Sequence, residues 1–429
     1  MKRFLSLLLA GAMALSLVAC GGSSSENPAG SGAATDTKVL YHTYNTAPYV
    51  TLDPSTEYSN GIMVLQNVYE TLTRYNPETG EVDPMLATKW SSNEDGTVWV
   101  FQLRDDVTFH DGSKMTATQV VNSFKRAMDL GQGGAYIWDA VLEANGGKVE
   151  ATGEYEVTIT CGYPCAMDLV VSAGYAAYVM SDSVVEQTTE WFNEGHDGGS
   201  GPYMIAQATG DSVVLKAYEG YRGGWNENQY KNVMVKEVAE SSARRQMLET
   251  GECQLSSEFS ATDLEALKAQ TDKVYTYQSE TFNNIVMFLN TATEPCNNAD
   301  FRRALAYAFP YEETVSEILN GNAKQSVGMV PGGLWGHDDT LFQYSFDMEK
   351  AQQYLDKSGV NTDGLKLTVT DREAAEAKYI EAQKIVADEA YLLNLYDQMH
   401  TFVISNSIQG VSENPSYSNA IMYYDITVK

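Results

Sequence analysis

The chain has 429 residues, and 57 Asp and Glu stand against 28 Lys and Arg, a formal net charge of −29 at pH 7. With 43% apolar and 11% aromatic residues, a mean hydropathy of −0.30 and one long apolar run, wholesale disorder and a multi-span membrane protein are both excluded. Length suggests about two to four domains at ~150 residues each, and the acidic balance argues against a nucleic-acid partner, whose phosphates would be repelled.

Lys2 and Arg3 form a short basic start. The apolar stretch from Phe4 to Val18 follows, and it is shorter than the ~20 residues a membrane-spanning helix needs. It ends in Leu17-Val18-Ala19-Cys20, which resembles the lipobox of bacterial lipoproteins. Small residues admit the peptidase there, and the Cys thiol takes the diacylglycerol. The expectation is a signal peptide over 1–19, lipid attachment at Cys20, and a small, polar, flexible tether over 20–36. The folded part is then expected outside the cytoplasm, lipid-anchored at the outer face of the bacterial membrane or in the periplasm.

From Thr37 onward strands and helices mix without a repeat. Ile62, Leu65, Tyr69 and Leu72 make a first helical stripe. Thr97 to Arg104 alternates like a strand. Thr116-Ala-Thr-Gln119 reads as a capping box opening a helix with Val120, Phe124, Ala127 and Met128 on one face. Further strands are expected over Tyr155 to Thr160, Val213 to Glu219, Val233 to Val238, Ile285 to Asn290 and Leu365 to Thr370. Asp300 precedes a stripe of Phe301, Leu305 and Ala308. Met348, Ala351 and Leu355 make another, ended by Gly359 at C′. A last helix is expected from about Glu373 to Ala390. These stripes read as core; none is a cofactor box.

A search for catalytic chemistry finds no specific site. His42, His110, His196, His337 and His400 are scattered, with no H-E-x-x-H or close pair, and each reads as a surface or turn residue. There is no P-loop and no G-x-S-x-G elbow. Gly198 to Tyr203 is glycine-rich, but no helix follows to meet a phosphate, so it reads as a turn entering a strand. Asp105-Asp106 and Asp338-Asp339 are adjacent in sequence, face opposite ways and read as solvated charges. Cys161 and Cys165 have a C-x₃-C spacing around a turn; a disulfide and free thiols both stay open, with Cys253 and Cys296 beyond them. No metal site and no cofactor are expected. The balance favours binding over catalysis.

One run is specific. Ala87-Thr-Lys-Trp90 is followed by Asp95-Gly96, then Trp99-x-Phe101-x-Leu103-Arg104-Asp105-Asp106-Val107, then Phe109-His-Asp-Gly112 and the capped helix. This resembles the signature of the bacterial extracellular solute-binding proteins of family 5, the oligopeptide, dipeptide and nickel receptors of ABC importers. Leu52-Asp53-Pro54, Asn67 to Leu72, Gly199 to Tyr203, Ala243 to Glu252, Asn290 with Phe301 to Leu305, Glu381 to Ala390 and Asn414 to Tyr417 resemble further family motifs in the same order. The resemblance breaks after Thr370, where the family inserts roughly a hundred residues, a small domain's worth, before its last helix. That segment carries the Asp which, in peptide receptors, pairs with the ligand's amine. No residue here matches it.

The resemblance implies an α/β, two-lobed periplasmic-binding-protein-like fold (type II, class C) with an extra inserted domain and a shortened second lobe. Lobe I is expected from 37–58, 174–278 and 400–429, the inserted domain II from 59–173, and lobe III from 279–399. It implies capture of a short peptide or similar small solute, delivery to ABC permease subunits with cytoplasmic ATPases, and a monomer that contacts the membrane only through its lipid. Carried over residue by residue, the cleft is expected at Glu57, Ser59 and Asn60, at Tyr136 and Trp138, at Ser257, Glu258 and Phe259, at Val286 and Phe288, and at Trp335. Trp138 and Phe288 stand equally well as ligand wall or as core. Two other classes stay open: a carbohydrate-active lipoprotein, and a degenerate receptor without transport that serves as a surface adhesin or relic.

Overall fold

A computed structural model describes residues 38–76, 79–142, 146–175, 177–334, 337–363, 365, 392–414, 416–417 and 420–429. The leader, Cys20, Trp335, the strand expected up to Thr370 and the helix expected over 373–390 lie outside the described residues.

Among the described residues, eight strands form the main sheet. Its order is Val274–Phe288, Leu392–Ser405, Leu255–Ser256, Val39–Tyr44, Asn232–Glu237, Ser212–Ala217 and Tyr203–Thr209, with Ala323–Gln325 added on Leu392–Ser405. Val39–Tyr44 runs parallel to both of its neighbours, and the remaining pairs are antiparallel. Alternation explains its placement: Leu40 and His42 point inward and are fully buried. The helix Ile62–Val68 packs into the same core with Ile62, Met63, Val64, Leu65 and Val68. It ends earlier than its stripe predicts, because Tyr69 is already extended (ψ 157°).

The inserted region has its own core. Ala87–Ser92, Val98–Leu103, Glu156–Thr160 and Lys148–Gly153 make a four-stranded antiparallel sheet. The helix Ala117–Leu130 covers it, and the capping box forms as expected, with Gln119 accepting from the Thr116 N–H at 2.8 Å. Phe101, Phe109, Phe124 and Trp138 fill the core, each at most 1% exposed. Trp90 and Trp99 stack on Phe101 with ring centroids 6.5 and 6.3 Å away.

The two long strands Val274–Phe288 and Leu392–Ser405 leave the main core for a smaller one. They pair from Val274/Ser405 to Glu280/Met399, slip in register, and pair again from Asn284/Asp397 to Phe288/Leu392. Ala323–Gln325 joins at the slip. Beyond it, Ala306, Tyr311, Leu393 and Leu395 form a small buried cluster under the helix Ala299–Ala308. The helix Met348–Ser358 packs on Ala299–Ala308 and ends at Gly359, whose φ of 67° is the left-handed cap the sequence predicts.

Candidate functional site

The loop after Val39–Tyr44 is held from below. Asp53 is fully buried and takes both arms of Arg126 (2.6 and 2.8 Å), the Thr189 hydroxyl (2.8 Å) and the Ser55 N–H (3.0 Å). Arg126 comes from the helix of the inserted region. Glu57 is buried too: its carboxylate accepts from the Thr51 N–H at 3.2 Å and from the Ser59 N–H. Gly61 must be glycine, since a Cβ there would sit 2.4 Å from Glu57 Oε2 and 2.5 Å from Thr51 O. The sequence places Glu57 on the cleft; the structure places it beneath the loop, where it positions its neighbours. What the loop presents outward is Tyr58, 65% exposed, with half-buried Ser59 and Asn60 beside it. Asn60 donates to Thr46 Oγ1 at 3.0 Å.

A second segment closes on this loop. A Cβ on Gly133 would lie 2.4 Å from Thr56 O, so the chain at 131–135 passes directly over it. That approach sets the helix Ala135–Leu142, which displays Tyr136 at 66% exposure. Trp138, on the same helix, points the other way: it is 1% exposed and packs on Phe124 at 4.6 Å. It belongs to the core and offers no wall to a solute.

Tyrosines and carboxylates converge next to Tyr136. Tyr175 meets Tyr417 edge-on at 4.7 Å, and Tyr417 Oη accepts from the Gly174 N–H at 2.8 Å. Burial, then the charge of Glu57 and the neighbouring Tyr136, push the Tyr175 hydroxyl up to about 12. Further along, His400 Nδ1 and Glu413 Oε1 are 2.7 Å apart and buried. Burial alone would lower the His400 pKa, but the hydrogen bond and charge of Glu413, with Glu258 behind, raise it. Burial, Glu258 and Glu413 push Tyr44 up to about 12. Glu258 sits at φ 58°, a costly conformation for a non-glycine residue, and its carbonyl is held by Arg244 Nη2. Arg244 in turn lies 5.4 Å over the Phe259 ring. Ser257 is buried beside them.

A cavity of about 70 Å³ opens beside this surface, lined by Gln66, Arg74, Tyr178, Glu413, Asn414 and Tyr417 among others. Another, of about 230 Å³, flanks the register slip, lined by Glu280, Lys324, His337, Asp339 and Asp397. Asp397 accepts there from Ser326 Oγ (2.6 Å) and the Gly332 N–H (3.0 Å). Val286 and Phe288 lie on the strand beyond the slip, half-buried and 40% exposed respectively. Trp335 is outside the described residues.

Ser59 and Asn60 thus lie on the loop above Glu57, Tyr136 neighbours Tyr175 and Tyr417, and Glu258 groups with Tyr44, His400 and Glu413. Tyr44, Tyr175 and the buried His400, Glu413 and Tyr417 escaped the sequence reading of the site. His400 and His42, expected at surfaces or turns, are both buried, as is the ring of His110 against Asp197. For His42 a signal existed: it continues the inward alternation of Leu40. Among the described residues no group of three or more His, Cys, Asp or Glu could hold a metal ion, and no helix is long and apolar enough to cross a membrane.

An α/β, two-lobed architecture with an insertion, and polar and aromatic residues at the ends of the inner strands Val39–Tyr44 and Leu255–Ser256, define the class of periplasmic-type binding folds. Residues 81–389 match the model of the bacterial extracellular solute-binding proteins, family 5 (middle), and the chain belongs to that family. It is 32% identical over 333 residues to the probable D,D-dipeptide-binding periplasmic protein DdpA of Escherichia coli (strain K12), covering 75% of this chain and 63% of that protein. It is 26% identical over 314 residues to the dipeptide-binding protein of the same organism, covering 68% and 58%. The chain therefore spans about three fifths of the length of these two relatives. The fold matches the periplasmic binding protein DppA from Helicobacter pylori, solved with the peptide STSA, at a TM-score of 0.72 and 19% identity, over 91% of this chain and 98% of that one.

Proposed function

We propose that this chain is the solute-binding component of an ABC importer and captures a short peptide, or a solute of similar chemistry, between its two lobes. The observation that carries this reading is the exposed carboxylate of Glu258 beside Tyr44, together with the exposed Tyr136 ring beside Tyr175. Aromatic rings give a tolerant wall, and carboxylates suit the ammonium group of a peptide. The names of the two Escherichia coli relatives support the same ligand class. Binding, not turnover, is the work of these groups, and a closed form with solute between the lobes would be what docks on the permease.

The lobes are proposed to divide as 37–58, 174–278 and 400–429 against 279–399, with 59–173 inserted and the second lobe shortened. The register slip between Glu280 and Asn284 supports a boundary near Ser279. Lipid attachment at Cys20 and a place at the outer face of the membrane complete the reading. Cys20→Ala should release the protein or leave it unprocessed.

The test is native mass spectrometry of the purified chain, followed by calorimetry against a mixed short-peptide library. Co-purifying peptide is expected. Tyr136→Ala should weaken binding by roughly tenfold, the loss of about 1.4 kcal/mol of contact. Peptide or glycoside turnover that one substitution at Glu258 abolishes would overturn the reading. A folded protein that binds no peptide at all would favour the second reading, a receptor that has lost transport. The apolar side chains exposed beyond the slip, Phe342 and Phe346 among them, favour that alternative.

A further inference from the structure

The turn Cys161-Gly162-Tyr163-Pro164-Cys165 follows the strand Glu156–Thr160 and closes one end of the inserted region's sheet. Its two ends are clipped to neighbouring peptides. The Cys161 N–H donates to Thr97 O at 2.7 Å, and the Cys165 N–H donates to Gly96 O at 3.2 Å. Two consecutive carbonyls therefore hold both cysteine backbones, which brings the start and end of the turn side by side. The two thiols are near enough for Cys165 to help raise the pKa of Cys161. Both are free in the structure. Such an approach is what a disulfide needs, since bridged cysteines have Cα atoms about 4.4–6.8 Å apart.

The other described cysteines lack this arrangement. Cys253 is fully buried and donates to the Leu255 carbonyl at 3.0 Å. Cys296 sits at the start of the second lobe's first helix region and neighbours Arg302.

We propose that Cys161 and Cys165 form a modification site, at which a low-molecular-weight disulfide such as cystine or oxidised glutathione closes them into an intramolecular disulfide. The step balances as two exchanges. Half-buried Cys165 is the accessible thiol. Its thiolate attacks one sulfur of the small disulfide, forming a mixed disulfide and expelling one thiolate, which takes up the proton Cys165 lost. Cys161, deprotonated in its turn, attacks the Cys165 sulfur and expels the second small thiol. Two protein thiols are oxidised and one small disulfide is reduced to two thiols.

Burial makes the two partners unequal. Cys161 is 5% exposed, and burial, then the neighbouring Cys165 thiol, push its thiol up to about 12. A poorly ionised, enclosed Cys161 seldom reacts first and closes the ring only after Cys165 has been activated. Reduction runs the closing step backwards: a reductant attacks the accessible Cys165 sulfur and must expel Cys161, a poor leaving group because burial holds its thiol pKa high. The bond is therefore expected to be slow to form and slow to reduce. Chemistry of this kind requires an oxidising compartment, which the proposed extracytoplasmic location supplies.

The test uses the whole purified chain, reduced, freed of reductant and incubated folded with oxidised glutathione. It is then denatured, alkylated and mapped by mass spectrometry. Closure lowers the mass of the peptide carrying both residues by about 2 Da. That peptide then escapes alkylation while Cys253 and Cys296 are labelled. Cys161→Ser should arrest the reaction as a glutathione adduct on Cys165. In the unsubstituted protein, alkylation of Cys161 and Cys165 to the same extent as Cys253 and Cys296 would overturn the proposal. So would an adduct that persists on Cys165 without closing. Neither readout depends on peptide binding, so this inference and the transport reading fail separately.

Discussion

The inserted region and the part of the chain beyond residue 279 are both rich in large apolar side chains, and they treat them differently. In the first, Phe101, Phe109, Phe124 and Trp138 are sealed between a four-stranded sheet and one long helix. In the second, Ile318, Phe342 and Met348 are 71%, 70% and 57% exposed, and the buried cluster holds only Ala306, Tyr311, Leu393 and Leu395 among the described residues. A core needs two layers facing each other, and apolar content alone does not supply the second one. The strand pair that enters the second region brings Leu393 and Leu395 under one helix and leaves Ile285 and Met287, on the neighbouring strand, more than a third exposed.

The sharpest way to break this comparison is to make the same truncation in both places. Phe124→Ala should cost about 3–5 kcal/mol, the loss of a sealed ring plus its cavity. Phe342→Ala should stay within about 0.5 kcal/mol, since its ring already faces water. Urea denaturation of the two variants measures the difference, and equal losses would mean that Phe342 is covered in solution.

Acid titration probes the main sheet, which both regions border. Burial drives the pKa of His42 from 6.5 down to about 3, so the folded state holds it neutral beside Tyr423. The unfolded chain binds that proton first, so stability should fall as pH drops below about 6.5, by at most ~1.4 kcal/mol per unit. His400 has the opposite sign. Its raised pKa gives stability that is present below its unfolded value and lost as pH rises through the folded one. His42→Asn should flatten the acid limb of a stability–pH curve and Glu413→Gln the neutral limb. An acid limb unchanged in His42→Asn would assign it to the carboxylates instead.

A smaller effect compares two helix caps. Thr116 caps the helix Ala117–Leu130, and the Asp347 carboxylate accepts from the Lys350 N–H at 2.9 Å at the start of Met348–Ser358. Thr116→Ala should cost about 1 kcal/mol in the main unfolding transition. Asp347→Ala should instead speed hydrogen exchange in its own helix and leave the main transition in place. A shift of the main transition by Asp347→Ala would show that the two regions unfold as one.

What the sequence made legible was local. The capping box at Thr116 and Gln119, the alternation of Val98–Leu103 and the left-handed Gly359 each depend on residues within a few positions, and all three stand as expected. What it hid was long-range. Only the end of Val274–Phe288 was anticipated, because its first two thirds, rich in Tyr, Thr, Gln and Glu, lack a clean apolar pattern, and its pairing slips midway. His42 meets Tyr423 and His110 meets Asp197, partners that no short window contains. The site was half visible for the same reason. The family motif marked the loop at Glu57 to Asn60, but whether Glu57 faces a solute or the loop's own backbone is decided by Thr51 and Gly61 packing around it. Trp138 shows the reverse: a large aromatic in the expected stretch, turned inward by Phe124.

The ion pair between Asp53 and Arg126 bears on any attempt to simplify this molecule. The loop that offers Tyr58, Ser59 and Asn60 is anchored to a helix some seventy residues downstream, and Gly133 lies against the same loop from the far end of that helix. Excising 59–173 as a removable module would strip the anchor and leave a buried carboxylate with its charge unanswered. A pared-down binder made from this chain would have to redesign Asp53 along with the excision, and in a lineage of such proteins the insertion and the Leu-Asp-Pro turn should be gained or lost together.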